Sequence, residues 1–268
     1  MSATPAPAPC HIGVFDSGVG GLSVLRALRV AMPGARFSYL ADSAHAPYGE
    51  KSESQVQARS LAVARWLHDA GAQLLVVACN TATALAIEPL RHLHAHWPIV
   101  GVEPGVKPAL AASACGHVAV LATPGTLASE RFARLLRNQA GTARVHALPC
   151  PGLAAAIESG NPQALGLDTL LDDIGRRVQA TGADQVVLGC THYPFVADGL
   201  RQRLGPQVQL VDTADAVARR VLHLLPQARR LPAESGSLQL FTTGEPHTLE
   251  RLAQRWLGHT QPALQAEP

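Results

Sequence analysis

Short apolar runs alternate with amphipathic helical patterns along almost all of the 268 residues. Such alternation predicts a largely parallel sheet with helices on both faces. The strand candidates are residues 12–15, 37–40, 74–78, 99–102, 118–121, 145–148, 186–188, 208–211 and 238–241. The helices between them carry one apolar face. Leu167, Leu170, Leu171, Ile174 and Val178 share such a face, with Asp172, Arg176 and Arg177 elsewhere. Ala214, Val217, Ala218, Val221, Leu222 and Leu225 share another, in a helix that Pro226 stops.

The pattern repeats. Gly71-Ala72 leads through Leu74, Leu75, Val76 and Val77 to Ala78-Cys79-Asn80-Thr81. Gly182-Ala183 leads through Gln185, Val186, Val187 and Leu188 to Gly189-Cys190-Thr191-His192, and each cysteine comes eight residues after its glycine. His11-Ile12-Gly13-Val14-Phe15-Asp16-Ser17 has a counterpart in His117-Val118-Ala119-Val120-Leu121-Ala122-Thr123. These repeats predict two similar α/β domains whose strand ends face each other across a cleft, the usual place for a small-molecule site. The expected divisions are 1–98 for the first domain, 99–207 for the second, and 208–268 for a C-terminal segment returning to the first; Trp97-Pro98 and Gly205-Pro206 mark the crossings.

Composition narrows the partners. A formal charge of +2 with no basic run, and only three Trp, three Tyr and five Phe, supply neither the positive stripe nor the stacking surface of a nucleic-acid binder. No stretch approaches the roughly 18 consecutive apolar residues of a membrane-spanning helix. The Ala/Pro-rich start, residues 1–9, lacks the charged-then-apolar order of a secretory signal and reads as a short disordered tail. Five cysteines without CxxC spacing are neither a disulfide framework nor a zinc site. A reducing cytoplasm is the expected compartment, with Cys10, Cys115 and Cys150 as structural or incidental thiols.

Both Cys79 and Cys190 sit just past a buried strand, before what reads as the first turn of a helix, and helix N-termini lower thiol pKa values. A thiolate on one side of a planar carbanion and a thiol on the other invert a stereocentre. Lone cysteines are also common as small buried hydrophobes, so that reading stands beside the chemical one. Asp16 near Cys79, and His192 next to Cys190, are placed to tune or shuttle protons. Asp16-Ser17-Gly18-Val19-Gly20-Gly21 opens a helix but has Ser23 where a dinucleotide fingerprint needs its last glycine. It suits either a substrate ammonium and carboxylate or a plain Asp-Ser cap. Pro47-Tyr48-Gly49-Glu50-Lys51 is either a ligand-closing loop or a turn. Of His92, His94 and His96 only the outer two share a helical face, and no carboxylate joins them, so no metal is assigned. Lys51 and Lys107 are the only lysines, neither in a setting for a Schiff base.

With these residues assembled, the chain resembles the glutamate racemases of the aspartate/glutamate racemase family. The likeness spans nearly the whole chain: Asp16 to Gly21, Pro47 to Gly49, Cys79 to Thr81 and Gly189 to Pro194 occur in the expected order. Gly-Cys-Thr-His-Tyr-Pro is the most specific, since aspartate racemases typically carry Glu where His192 stands; an aspartate racemase is the alternative. The resemblance implies an α/β fold of two similar domains with largely parallel sheets facing across a central cleft. It implies a cofactor-independent isomerase interconverting L- and D-glutamate for peptidoglycan, acting in the cytoplasm as a homodimer, with no nucleic-acid or membrane partner. By the same resemblance Cys79 takes the proton from D-glutamate and Cys190 from L-glutamate, assisted by Asp16, His192 and Glu158. Asp16, Ser17, Tyr48, Gly49, Asn80, Thr81, Thr123, Thr191 and His192 bind substrate. Some members of that group bind DNA gyrase, but nothing in this sequence marks such a surface. The short start argues against the activator dependence that accompanies longer N-terminal extensions in some relatives.

Overall fold

The computed structural model describes residues 9–138, 144–160, 166–225 and 236–268. Residues 1–8 of the expected tail, and the helix stop at Pro226, lie outside the described residues. The chain runs β1 (His11–Asp16), α1 (Leu22–Ala31), β2 (Arg36–Ala41), α2 (Glu53–Asp69), β3 (Leu74–Val77), α3 (Asn80–Leu93) and β4 (Ile99–Gly101). It continues through α4 (Val106–Ala112), β5 (His117–Ala122), α5 (Pro124–Leu127), α6 (Glu130–Arg137), β6 (Arg144–Pro149), α7 (Leu153–Glu158), α8 (Leu167–Thr181) and β7 (Gln185–Gly189). Last come α9 (Ala197–Leu204), β8 (Gln209–Val211), α10 (Ala214–Leu224), β9 (Ser237–Thr242), α11 (Pro246–Leu257) and β10 (Ala263–Gln265).

The strands form two sheets, one of six in the order β10-β9-β2-β1-β3-β4 and one of four in the order β6-β5-β7-β8. Every pairing between them is parallel. The fold is thus α/β with two parallel sheets, as the alternation of patterns predicts. All nine strand candidates appear. β10 was not anticipated, because Ala263-Leu264-Gln265 is short and has none of the β-branched residues that mark strands.

Pairing also shows how the halves are wired. β4 pairs with β3, and β8 with β7, so each expected division, at 98 and at 207, falls one strand before the change of sheet. The prolines used to place them mark turns into a strand, and a turn does not reveal which sheet that strand joins. β9 and β10 add to the six-stranded sheet beside β2.

Alternation along the strands sorts the core. Ile12, Val14, Leu74 and Val76 face one cluster with α1, α10 and α11. Phe15, Leu75 and Val77 face the other with α2 and α3. In the smaller sheet Ala119, Leu121, Val186 and Leu188 pack on α7 and α8, while Val118, Val120 and Val187 pack toward α4 and α6. Period-two side chains on doubly covered strands explain why these strands read as continuous apolar runs. The stripes expected on α8 and α10 are the buried faces of those helices. Trp256 of α11 stacks on Phe195 with centroids 3.6 Å apart, joining the two larger cores.

Candidate active site

Equivalent registers bring the chemistry together. Ile12 faces Leu74 between β1 and β3, and Val118 faces Gln185 between β5 and β7. Leu74 and Gln185 each precede their cysteine by five positions. Asp16, Cys79, Thr123 and Cys190 therefore stand at the C-terminal ends of four strands, two in each sheet, where open parallel sheets place ligands.

Two hydrogen-bonded chains run through this convergence. In one, the Cys79 thiol donates to Ser17 Oγ at 3.7 Å, and Ser17 Oγ donates to Asp16 Oδ1 at 3.2 Å. The same Oδ1 accepts from the Gly18 N–H at 2.8 Å, and Oδ2 accepts from Thr191 Oγ1 at 2.8 Å. In the other, His192 Nδ1 lies 3.6 Å from Cys190 Sγ and Nε2 lies 2.6 Å from Glu158 Oε2. Glu158, at the end of α7, also accepts the Val19 N–H on both oxygens, at 3.1 and 3.0 Å. Each chain crosses between the sheets, since Asp16 meets Thr191 and Glu158 meets Val19. The glycines of residues 18–21 make this approach possible: a Cβ on Gly20 would lie 2.3 Å from His192 Nδ1 and 2.7 Å from Thr191 Oγ1.

The site is withdrawn from water. Asp16 is fully buried, and Ser17, Cys79, Cys190, Thr191 and His192 are buried. Burial decides most of the electrostatics. It pushes the Cys79 thiol up to about 12, reinforced by the nearby Asp16 and, more weakly, by Cys190, against the lowering bonds from the Ala82 N–H and Ser17. Cys79 is indeed the N-cap of α3, its sulfur accepting the Ala82 N–H at 3.4 Å. The expected lowering by a helix N-terminus is overturned there, because desolvation outweighs a capping bond. Burial likewise raises the Asp16 carboxyl, against the pull of His192 and the bonds from Gly18 and Thr191. For His192 burial favours the neutral ring, but the bonds to Cys190 and Glu158 prevail and raise its pKa well above the ordinary imidazole value.

Cys190 differs from expectation in its backbone. It leads into a 3-10 turn at Tyr193–Val196, and α9 begins only at Ala197. Tyr193 precedes Pro194, a position that disfavours the α conformation.

The remaining candidates form an outer ring. Thr81 Oγ1 lies 3.0 Å from Thr123 Oγ1, joining the two halves, and Thr123 caps α5 by accepting the Thr126 N–H at 3.2 Å. Asn80 Nδ2 donates to the Val102 carbonyl at 3.4 Å. Tyr48 and Gly49 occupy a 3-10 turn, Tyr48–Glu50. Three buried groups escaped the sequence reading: Tyr39, whose hydroxyl donates to the Gly18 carbonyl at 2.6 Å; Thr126; and Asp42, one residue past β2. Asp42 had a readable signal, an acidic residue at a strand end like Asp16. Of the histidine trio, α3 ends at Leu93, so His92 and His96 do not share a helix. His94 instead packs against His68 and Trp97. Cys10 and Cys150 are buried and Cys115 is exposed.

Comparison with known proteins places the chain and its fold among racemases. A family model described as Asp/Glu/Hydantoin racemase matches residues 22–221. The chain is 44% identical over 241 residues to a glutamate racemase of Stutzerimonas stutzeri strain A1501, covering 90% of this chain and 91% of that protein. Its fold matches the crystal structure of glutamate racemase isoform RacE1 from Bacillus anthracis with a TM-score of 0.87 at 29% identity, covering 98% of each chain. It also matches Escherichia coli glutamate racemase, solved with L-glutamate and the activator UDP-MurNAc-ala, with a TM-score of 0.81 at 32% identity over 97% of this chain and 98% of that one. Among the described residues no helix is long and apolar enough to cross a membrane.

Proposed function

The chain belongs to the Asp/Glu/Hydantoin racemase family, and we propose that this amino-acid racemase interconverts L-glutamate and D-glutamate with Cys79 and Cys190 as its two acid/base groups. The observation that carries the proposal is the pair of thiols delivered by equivalent strands at one convergence, each with its own polar chain. The family's glutamate racemases supply the substrate.

In this reading the α-carbon lies between the sulfurs. Cys79 takes the α-proton of D-glutamate while the Cys190 side delivers a proton to the opposite face; from L-glutamate the roles reverse. One C–H bond breaks and one forms, so each turnover leaves the two thiols with exchanged protonation until solvent resets them. Asp16 and Ser17 face the ammonium, whose positive charge offsets the burial that holds Cys79 as a thiol. Backbone N–H groups and the hydroxyls of Thr81, Thr123 and Thr191, with Asn80 and the Tyr48-Gly49 turn, hold the carboxylates. An amino-acid α-proton is weakly acidic, so excluding water and fixing donors where negative charge develops provide much of the barrier reduction. His192, held by Glu158, relays protons to and from Cys190. The product would serve peptidoglycan synthesis in the cytoplasm, and the enzyme would act as a homodimer.

Polarimetry of the purified protein with L-glutamate and with L-aspartate, without added cofactor, tests the activity. Turnover of L-aspartate alone would reassign the substrate. Growth of a D-glutamate auxotroph carrying the gene tests the cellular role. Sedimentation of the purified chain tests the dimer. For the two-thiol scheme, racemisation in heavy water is expected to place solvent deuterium in the product enantiomer while substrate recovered early stays largely unlabelled. Each thiol works on one face and rarely returns a different hydrogen to it. Extensive early labelling of recovered substrate would indicate a single base.

A further inference from the structure

Asp42 is a fully buried carboxylate outside the groups that the proposed chemistry uses, and it gathers donors from four separate places. Arg59 of α2 grips it in a fork, Nε to Oδ2 at 3.0 Å and Nη2 to Oδ1 at 2.9 Å. The Tyr48 hydroxyl donates to Oδ2 at 2.6 Å, Thr243 Oγ1, just past β9, donates to Oδ1 at 3.0 Å, and His45 Nδ1 lies 3.1 Å from Oδ1. Its own N–H donates to the Asp16 carbonyl at 3.0 Å. The Asp42 hub is thereby fixed to the strand end that carries Asp16.

Tyr48 links that hub to the cleft. Its ring is buried, and the next residue, Gly49, abuts the opposite half so closely that a Cβ there would lie 2.6 Å from Thr123 Cβ. A Cβ on Gly125, at the start of α5, would lie 3.1 Å from the Gly49 carbonyl oxygen. A small displacement of the Tyr48–Glu50 turn therefore either opens this contact or drives backbone into Thr123. A charge-assisted hydrogen bond of 2.6 Å to a carboxylate that Arg59 also holds is the kind of support that keeps such a turn in one position.

We propose that Asp42 is a positioning residue for the racemisation proposed above: through Tyr48 it sets the Tyr48–Glu50 turn against Thr123, and so fixes the donors that the turn and Thr123 offer to a substrate carboxylate. In this scheme the Asp42 carboxylate acts through Tyr48 and bonds neither thiol. Its loss weakens the grip on both enantiomers and leaves proton transfer by the thiols intact. Burial acts against the Asp42 charge, but the bonds from Arg59 and Tyr48 prevail and hold its pKa below the usual carboxylate value. The hub is therefore ionised throughout the neutral range.

Asp42→Asn keeps the size and removes the charge, while Tyr48→Phe removes only the link from the turn to the hub. With L- and D-glutamate as probes, each variant is expected to raise KM by about tenfold for both enantiomers with kcat within about threefold, the pattern of lost uniform binding. The double variant should raise KM little beyond Asp42→Asn alone, because both changes act through the Tyr48 link to the hub. Hydrogen exchange of the amides at 48–51 should quicken in both single variants without substrate, as the Lys51 N–H to Tyr48 carbonyl bond of the turn loosens. An unchanged KM, with kcat lowered only in proportion to the folded fraction, would make the hub structural and overturn the proposal. If Asp42→Asn does not fold, Tyr48→Phe decides alone. A wild-type enzyme that does not turn over glutamate would defeat the racemase reading, and unchanged exchange at 48–51 would then defeat this one separately.

Discussion

Replacing Cys79 or Cys190 with serine is expected to slow racemisation by about a thousandfold or more, the upper part of the range for a positioned acid/base group. Serine keeps the shape of the side chain, but its hydroxyl is far less acidic than a thiol and poor in either proton-transfer role. Burial sharpens the effect at position 79. The thiol is already pushed up to about 12, so a group of still lower acidity in the same dry setting has almost no accessible anion.

Both directions must suffer together. The enantiomers have equal free energy in an achiral solvent, so the ratio of forward to reverse kcat/KM stays at unity whichever thiol is replaced. Individual kcat and KM values are free to change unequally, since each thiol touches the two bound enantiomers differently. Initial rates from L- and D-glutamate for each variant therefore check the assay and the mechanism at once. Near wild-type turnover in either variant would remove that cysteine from the chemistry.

The legibility of this site follows from how its parts are encoded. Cys79 and Cys190 stand out because buried parallel strands read as apolar runs, and a change to small polar residues marks the strand end. The same feature placed Asp16 and Thr123, and parallel pairing in equivalent register then fixes their neighbours. Glu158 has no local signal: it ends a short helix, and its partners Val19 and His192 are set by packing of the two halves. It entered through family resemblance. Asp42 stands at a strand end as Asp16 does, and His45 and Tyr48 lie close to it in sequence, but nothing local shows that Arg59 of α2 and Thr243 beyond β9 close on the same carboxylate. Local rules misjudged thiol acidity for a related reason. A helix N-terminus is visible in sequence, whereas the desolvation that outweighs it at Cys79 exists only after the sheets converge.

Replacing Glu158 with glutamine is expected to lower kcat/KM by about ten- to a hundredfold near neutral pH, in the lower range for loss of an acid/base assistant, and to move the alkaline limb of its pH profile to lower pH. The sign follows from the forces on His192. Burial pushes the ring toward neutrality, and the bonds to Cys190 and Glu158 raise its pKa well above the ordinary value. Glutamine removes one of the two raising partners and leaves the burial, so the imidazolium is lost at a lower pH than in the wild type. At acid pH both proteins hold the protonated ring and the deficit is smallest; it widens as pH rises. The stability contributed by the raised pKa behaves in parallel, present in full below the ordinary imidazole pKa and lost as pH climbs through the elevated one. Glutamine also disturbs the Val19 N–H bonds, which would lower activity equally at every pH. The pH dependence of the deficit is thus what separates tuning of His192 from scaffolding of residues 18–21. Because the ratio of forward to reverse kcat/KM is unity at every pH, the displaced limb must be the same from L- and D-glutamate. A uniformly reduced profile with an unmoved limb would leave Glu158 as scaffold alone.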